Sequence, residues 1–219
     1  LGWHSIGGVG GNDTLYSMVS GTKGMNVIAP TWFSMTDEYG AFRSFATADY
    51  VTTAHNMGLQ VWGVLDNFNY ANENGISIST LNMLSSTTAR QTLVQNVTDT
   101  AVSLGLDGIN VDFEQLSSDC GSHYVEFLRE LSIQCRNKGL VLSVDNYVPF
   151  NFNDYYRLDI QGQVADYVII MGYDEHWHGS KDPGSVASIG YVSDGLDRTL
   201  QEVPANKVVN ALPFYTILW

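Results

Sequence analysis

Residues 106–114 read Leu106-Asp107-Gly108-Ile109-Asn110-Val111-Asp112-Phe113-Glu114. Polar and apolar residues alternate here, which predicts a β-strand because successive strand side chains point to opposite faces. One face carries Asn110, Asp112 and Glu114, and the other carries Ile109, Val111 and Phe113. A strand buried on both faces is normally apolar on both. Since burying carboxylates is costly unless they are paired or used, the polar face predicts a functional site.

Six further apolar runs surround this stretch, and helical patterns separate them. The seven strand candidates are Leu1–Ile6, Met25–Phe33, Leu59–Asn67, Leu106–Glu114, Leu140–Val148, Ala165–Tyr173 and Lys207–Tyr215. Strands that alternate with helices form right-handed crossovers and a parallel sheet. The spacing of about 34 residues per unit is compatible with a (β/α)8 TIM barrel of about 250 residues.

A doubly wound open sheet is the alternative fold. It normally carries a nucleotide-binding fingerprint after its first strand. The stretch Gly7-Gly8-Val9-Gly10-Gly11 is rich in glycine but lacks the GxGxxG spacing, so we interpret it as a loop.

Three segments between the strands carry the start and stop signals of helices. Their apolar residues recur at the i, i+3, i+4 and i+7 spacing of a helix packed on a sheet. The predicted pairs of capping residue and terminal glycine are Thr47 with Gly58, Ser86 with Gly105, and a residue near Ser122 with Gly139.

Composition and charge exclude several classes of partner. The net charge is −13 and no basic stripe is present, so nucleic acid and anionic membrane surfaces are disfavoured. The chain contains no run of 18 apolar residues, so no membrane-spanning helix is predicted. The start of the chain, Leu1-Gly2-Trp3-His4, lacks the features of a signal peptide and suggests an excised or processed domain. Neutral or cationic partners fit such a surface better, and uncharged polysaccharide is one of these.

The cysteine pattern argues against a disulfide framework. Cys120 and Cys135 lie about 22 Å apart if the segment between them is helical, so we predict that they are unbridged.

Two motifs together resemble one family. The stretch 107–114 resembles the DGxDxDxE signature of glycoside hydrolase family 18, the chitinase-like barrels. Met171-Gly172-Tyr173-Asp174 is similar to that family's MxYD on strand six. The order of elements matches from Leu1 to Trp219, which implies one catalytic barrel domain over residues 1–219. Segments 30–33, 173–176 and 213–215 resemble the bacterial cell-wall and spore-associated branch.

The resemblance implies retaining hydrolysis in which the 2-acetamido oxygen of the substrate attacks C1, without a protein nucleophile. Glu114 would protonate the leaving oxygen. Asp112 would hold the acetamido N–H and stabilise the oxazolinium cation, and Tyr173 would donate its hydroxyl to the acetamido oxygen. The substrate would be an N-acetylglucosamine-containing polysaccharide of peptidoglycan, spore cortex or chitin, with no cofactor. Further substrate contacts are expected from Asn110, Met171, Asp174 and Tyr215.

The chain departs from the family pattern at two positions. Asn110 replaces the middle acid, so it cannot share a proton with Asp112, although its amide can orient that carboxylate. Ile217 stands where relatives often have Arg. These departures leave a second hypothesis open, a non-catalytic carbohydrate-binding barrel, and the presence of Glu114 favours the enzyme.

Several aromatic and histidine side chains are further candidates for substrate contact. Trp32, Trp62 and Trp177 could form a sugar-stacking surface or belong to the core; Trp32 and Trp177 follow strand ends, which favours stacking, whereas Trp62 is expected to pack in the core. His176 and His178 could ligate zinc, but no third histidine is placed to complete the site. We therefore predict no metal, and expect His176 to line a substrate subsite.

The strand count predicts an incomplete barrel, with the eighth strand outside this chain and a gap between the first and seventh strands. Exposed strand edges invite contact between chains, so the isolated 219 residues are expected to be poorly stable and largely inactive. The polar stretch Asn69–Thr80 is predicted to be a long loop lining the site. An extracellular, cell-wall or spore-associated location is expected.

Overall fold

The computed structural model describes residues 1–68, 75 and 77–219. Its β-strands are β1 Gly2–His4, β2 Val27–Pro30, β3 Phe33–Met35, β4 Phe42–Ser44, β5 Gln60–Asp66, β6 Gly108–Asp112, β7 Val141–Tyr147, β8 Tyr167–Met171 and β9 Val208–Ala211. Its α-helices are α1 Leu15–Val19, α2 Ala48–Asn56, α3 Thr80–Ser85, α4 Thr87–Leu104, α5 Gly121–Lys138, α6 Leu158–Val164 and α7 Ile189–Thr199.

The main sheet is parallel and follows the order β1-β2-β5-β6-β7-β8-β9. Each of these strands lies inside one of the predicted apolar runs. Neighbours along the sheet follow chain order without reversal, which excludes the doubly wound alternative. The sheet curls into a partial (β/α) barrel, so the predicted truncated TIM barrel is confirmed.

The sheet is open between its first and last strands. In the part of the chain that the structure describes, β1 pairs with β2 and β9 with β8, and no pairing joins β1 to β9. A cavity of about 790 Å³ lies at this opening, where Trp3, Tyr173 and Asn210 are among the lining residues. The predicted gap between the first and seventh barrel strands is therefore present.

One pair of strands was not predicted. β3 and β4 form an antiparallel hairpin, and β3 also pairs in parallel with β5. The predicted run Met25–Phe33 is therefore broken after Pro30, where the Trp32 N–H donates to the Pro30 carbonyl and turns the chain.

The three predicted helices are confirmed, two of them with their capping residues; α5 begins at Gly121, and no side chain caps it. The side chain of Thr47 accepts from the Tyr50 N–H at 3.4 Å, and that of Ser86 accepts from the Ala89 N–H at 3.3 Å. The third helix, α5, is preceded by a 3-10 turn at Ser118–Cys120. Gly58, Gly105 and Gly139 follow the helices with positive φ, as expected for glycine at helix ends. Cys120 and Cys135 are buried and free.

The outward face of β6 fixes which way its polar residues point. Ile109 and Val111 are fully buried, and Phe113 stacks on Phe127 and Tyr124 of α5 at 5.3 and 6.0 Å between ring centres. Strand alternation then directs Asn110 and Asp112 into the barrel. Hydrophobic packing on one face therefore places the acids on the other.

Two predicted loops have different outcomes. Of the glycine-rich stretch 7–11, which was predicted to be a loop, residues 9–11 belong to a 3-10 helix at Val9–Thr14. Of the predicted loop Asn69–Thr80, residues 69–74 and 76 lie outside the described residues, and Thr80 begins α3. Among the described residues no helix combines the length and apolar character needed to cross a bilayer.

The two residues that open the acidic motif, Asp107 and Gly108, have structural roles. Asp107 accepts from the Val61 N–H at 2.7 Å and contacts His55 at 2.8 Å, which ties the start of β6 to β5 and α2. A Cβ atom at Gly108 would lie 2.8 Å from the Val141 carbonyl oxygen and 2.9 Å from Trp62. Only glycine lets β6 approach both neighbours at this point.

Replacing Gly108 with alanine is expected to destabilise the fold by about 1–3 kcal/mol, because the added methyl group meets backbone on β7. Chemical denaturation measures the change in the free energy of unfolding. Gly21→Ala is the matched control, since a Cβ atom at Gly21 would contact nothing within 4 Å. Equal stability of the two variants would contradict the close packing at Gly108.

Candidate active site

Three carboxylates form a row across adjacent strands near their carboxyl ends, the end of a barrel where active sites form. Asp66 at the end of β5 pairs in register with Asp112 at the end of β6. Val111 pairs with Val144, so one residue further along Asp112 stands beside Asp145 of β7. We call Asp66, Asp112 and Asp145 the acid row.

Asn110 lies beneath the acid row and is fully buried. Its Oδ1 accepts from the indole N–H of Trp3 at 3.0 Å, and its amide group donates to Ser143 Oγ at 3.0 Å and Asp145 Oδ1 at 2.9 Å. Since an indole can only donate, these contacts fix the amide orientation.

Two predictions for Asn110 are wrong. The amide orients Asp145 instead of Asp112, because both of its N–H groups are directed to β7. Asn110 has no exposed surface with which to contact a sugar, and its polar atoms are already bonded within the protein.

The acid row resists full ionisation. Burial, and then the neighbouring charges of Asp145 and Glu114, raise the pKa of Asp112 well above the ordinary range. Burial likewise raises the pKa of Asp145, against the opposing effect of the Asn110 hydrogen bond, and burial raises that of Asp66. Asp112 Oδ1 and Asp145 Oδ2 are buried and have no hydrogen-bond partner among the described residues. Such oxygens favour the protonated form of a carboxyl group.

Glu114 lies just beyond β6, above the acid row, and its backbone is held firmly. Its N–H donates to Asn67 Oδ1, and its carbonyl accepts from Asn67 Nδ2, both at 3.0 Å. The next residue, Gln115, has a left-handed φ of 53°, a conformation that a side chain other than glycine adopts only under local constraint. The direction of the Glu114 side chain is therefore set by this turn and not by the side-chain alternation of β6.

The carboxyl group of Glu114 is partly buried and bonded on one side. Its Oε2 accepts from the Tyr147 hydroxyl at 2.6 Å. Burial raises the pKa of Glu114, the Tyr147 hydrogen bond lowers it, and the charges of Asp174 and Asp66 raise it further. A carboxyl group with a raised pKa can carry a proton at higher pH than a free glutamate and act as a general acid.

Tyr173, Asp174 and Tyr215 gather beside the acid row. The Tyr173 ring packs edge-on against Trp3 and Tyr215, with ring centres 6.4 and 6.3 Å apart. The Tyr215 hydroxyl donates to Asp174 Oδ1 at 2.5 Å. Burial, followed by the charges of Asp145, Asp112 and Glu114, raises the pKa of Tyr173, so its hydroxyl stays protonated and able to donate.

Asp174 is held at a left-handed φ of 58°. Strain of this kind clusters at functional sites. Met171 ends β8 opposite Tyr147 and is buried, and its predicted sugar contact stays a prediction.

The tryptophans divide into core and surface. Trp32 has no exposed surface, donates to Asn12 Oδ1 at 2.8 Å and packs against Tyr50, so the prediction that it stacks on a sugar is wrong. Trp62 is buried and stacks on Tyr167, which confirms its predicted packing role. Trp177 is 57% exposed and remains available to a ligand.

The His176 ring is held by the Asp182 carbonyl at 3.1 Å from Nδ1. It makes no hydrogen bond to the acid row in the described part of the chain, and its predicted role in a subsite stays a prediction. Within the same described residues, no group of three or more His, Cys, Asp or Glu side chains is arranged to hold a metal ion.

Sequence reasoning missed Asp66, Asp145 and Tyr147. A signal was present in the predicted strand Leu140–Val148, where Ser143 and Asp145 alternate with the apolar residues Leu142 and Val144 as the polar residues of β6 do. Two neighbouring strands with the same polar alternation bring their polar faces together inside a barrel. The alternation marks a polar face on β7, whereas the pairing that brings Asp145 beside Asp112 is set by the fold.

A curled parallel sheet with carboxyl groups and tyrosines at the carboxyl ends of its strands defines the class of protein as a (β/α) barrel with a site suited to acid–base chemistry. Comparison with known families matches residues 72–219 to glycosyl hydrolases family 18. The chain belongs to this family. The predicted family is therefore confirmed.

Individual relatives agree with this assignment. The chain is 28% identical over 203 residues to "Uncharacterized glycosylase YvbX" of Bacillus subtilis (strain 168), covering 89% of this chain and 58% of that protein. It is 29% identical over 147 residues to the "Cortical fragment-lytic enzyme" of Bacillus anthracis, covering 63% of this chain and 33% of that protein. The chain thus spans about a third to somewhat over half of these relatives' length.

A solved structure with a similar fold is that of a chitinase from Chromobacterium violaceum ATCC 12472. The TM-score is 0.78 at 27% sequence identity, and the match covers 96% of this chain and 67% of that chain. The predicted resemblance to chitinase-like barrels is therefore confirmed.

Proposed function

We propose that the protein hydrolyses β-1,4 linkages of N-acetylglucosamine-containing polysaccharide by a substrate-assisted retaining mechanism, and that residues 1–219 contribute its catalytic barrel. The observation that carries this proposal is the placement of Glu114. Its partly buried carboxyl group has a raised pKa, stands at the carboxyl end of β6 and is fixed by Tyr147 on one oxygen.

Glu114 acts as the general acid. Tyr147 occupies Oε2, so Oε1 is the oxygen left to deliver the proton to the glycosidic oxygen. The raised pKa of Glu114 keeps that proton in place toward neutral pH. After transfer, the Tyr147 hydrogen bond stabilises the carboxylate, which then takes a proton from the attacking water.

Asp112 stabilises the cation that forms when the acetamido oxygen of the substrate attacks C1. Its negative charge accepts the acetamido N–H and offsets the positive charge of the oxazolinium ring. No protein nucleophile is required, because the substrate supplies the attacking atom. The Tyr173 hydroxyl, kept protonated by its raised pKa, donates to the acetamido oxygen and aligns it.

Other groups position the sugar. Asp174, with Tyr215 on one oxygen, is placed to accept a sugar hydroxyl at the same subsite. Met171 supplies an apolar wall, and His176 a more distant contact. Trp177, exposed after β8, offers a stacking surface in place of the buried Trp32.

The polymer is proposed to be peptidoglycan, with spore cortex as its first candidate form. The support is the printed name of a relative, a cortical fragment-lytic enzyme. The protein would act outside the cytoplasm, secreted to the cell wall or spore. We also propose that two chains can associate through their exposed strand edges.

The decisive experiment incubates the purified full-length protein with chitooligosaccharides and with purified cortex peptidoglycan. Mass spectrometry should find products cut after N-acetylglucosamine, and proton NMR should find the β-anomer formed first. Cellooligosaccharides, which lack the acetamido group, should stay intact. Binding without cleavage of either acetamido polymer would favour the non-catalytic carbohydrate-binding barrel instead.

The Tyr147 hydrogen bond predicts a shift in pH dependence. Tyr147→Phe removes a donor that stabilises the Glu114 carboxylate, so the pKa of Glu114 should rise and the alkaline limb of the pH–rate profile should move to higher pH. A hydrogen bond to a charged group corresponds to a shift of about one pH unit. Turnover at the optimum should fall, because the carboxylate formed on proton transfer is less stable.

Tyr155→Phe is the matched control for this variant. The Tyr155 hydroxyl donates to the Leu116 carbonyl at 2.7 Å, on the loop after Glu114. Its loss should leave the alkaline limb in place. Equal profiles for Tyr147→Phe and the unaltered protein would show that Tyr147 does not act on Glu114.

A further inference from the structure

Asp112 and Asp145 stand side by side on neighbouring strands, and neither buried carboxyl group is fully hydrogen-bonded among the described residues. The register places them side by side on β6 and β7, where neighbouring parallel strands lie about 4.8 Å apart. Each has one buried oxygen without a hydrogen-bond partner in the described chain, Oδ1 of Asp112 and Oδ2 of Asp145. Two such oxygens on adjacent side chains satisfy each other when one of them carries a proton.

Among the described residues, the surroundings of the pair add negative charge and no compensating cation. The charge of Glu114, after β6, raises the pKa of both carboxyl groups, and that of Asp66, on β5, raises the pKa of Asp112. The pair in turn raises the pKa of the Tyr124 hydroxyl, on α5, and of the Tyr173 hydroxyl, after β8. No basic side chain is among the charges that shift either carboxyl group. Two adjacent buried carboxylates under these conditions cannot both ionise near neutral pH.

We infer that Asp145 is a positioning residue that shares one proton with Asp112 and so sets the charge of Asp112 during catalysis. The inference rests on the function proposed above. It assigns to β7 the acidic partner that β6 lacks, since Asn110 stands at the preceding inward position of β6. Asn110 has a part in the arrangement, because its amide holds Asp145 Oδ1 and leaves Oδ2 free to face Asp112.

The shared proton moves without any other reactant. As positive charge develops on the sugar, the proton passes from Oδ1 of Asp112 to Oδ2 of Asp145. Asp112 is then anionic beside the oxazolinium ring, and the pair keeps a single negative charge throughout. The proton returns when water opens the ring and the positive charge is lost.

The first test does not depend on activity. Both carboxyl groups have a raised pKa in the folded state, so the pair stabilises the fold fully only below the ordinary aspartate pKa, near 4, and this stability is lost as pH rises through the folded values. Asp145→Asn removes that loss. The difference between the unfolding midpoint of Asp145→Asn and that of the unaltered protein should therefore grow in favour of the variant from about pH 5 to about pH 9.

Ser143→Ala is the matched control. Ser143 accepts from the same Asn110 amide on the same strand but has no ionisable group. Its effect on the unfolding midpoint should be the same at every pH. A pH-independent effect of Asp145→Asn would overturn the inference, whatever the outcome for activity.

The second test uses the acid limb of the pH–rate profile. A carboxyl group that shares a proton loses its first proton more readily than an isolated buried one. Asp145→Asn should therefore move the acid limb to higher pH by about one unit and lower kcat with little change in KM. Ser143→Ala should leave the limb in place. An unmoved limb in an active Asp145→Asn variant would contradict proton sharing, whereas inactivity of the unaltered protein would count against the proposed function alone.

Discussion

Glu114→Gln is expected to lower the hydrolysis of natural glycan by about 10²–10⁴-fold. Gln has nearly the shape of Glu and can still accept from the Tyr147 hydroxyl, but it cannot release a proton to the glycosidic oxygen. The loss should appear in kcat, because the proton is transferred only on the way to the transition state. Binding of chitooligosaccharide, measured by calorimetry, should survive.

The leaving group separates loss of the acid from general damage to the site. A nitrophenyl or fluoride leaving group departs without protonation, so Glu114→Gln should retain much more activity on such substrates than on the natural polymer. Glu126→Gln on the exposed face of α5 is the control and should behave as the unaltered protein. Equal losses on activated and natural substrates would show that Glu114 is not the acid.

The alternation within β6 allowed half of the site to be predicted. Because strand side chains have a period of two, a one-residue error would bury Asp112 among the helices and expose Phe113 to the barrel. The apolar set Ile109, Val111 and Phe113 therefore determined the direction of the acids before the fold was known. Glu114 lies beyond the strand, and its position depends on the bonds from Asn67 to its backbone, which a local pattern does not contain.

The remaining half depends on which strands are neighbours. Asp145 acts on Asp112 only because β7 pairs with β6 in one register, and Trp3 reaches Asn110 from the far end of the sheet. The prediction that Trp32 stacks on a ligand was wrong for a related reason. It follows a strand end, as a ligand-stacking residue does, but its indole N–H is bonded to Asn12 and its ring packs on Tyr50. A position after a strand does not establish exposure, because burial depends on segments that are distant in sequence.

Asp112→Asn is expected to lower kcat by about 10²–10³-fold, the range found when one preorganised electrostatic contact to a transition state is lost. Asn can still contact the acetamido group, but it carries no charge to offset the oxazolinium cation. KM should change less than kcat, since the charge develops after binding. Steady-state kinetics on chitooligosaccharide measure both constants.

The same substitution should make the fold more stable. The folded-state pKa of Asp112 is raised by burial and by Asp145, so its favourable contribution to stability is present below the ordinary aspartate pKa and is lost as pH rises. A neutral Asn lacks this pH-dependent loss, and the unfolding midpoint of Asp112→Asn should exceed that of the unaltered protein by a margin that grows with pH. Opposite signs for activity and stability are expected where a buried charge is retained for chemistry instead of for folding. A variant that loses both activity and stability at alkaline pH would instead identify Asp112 as a structural acid.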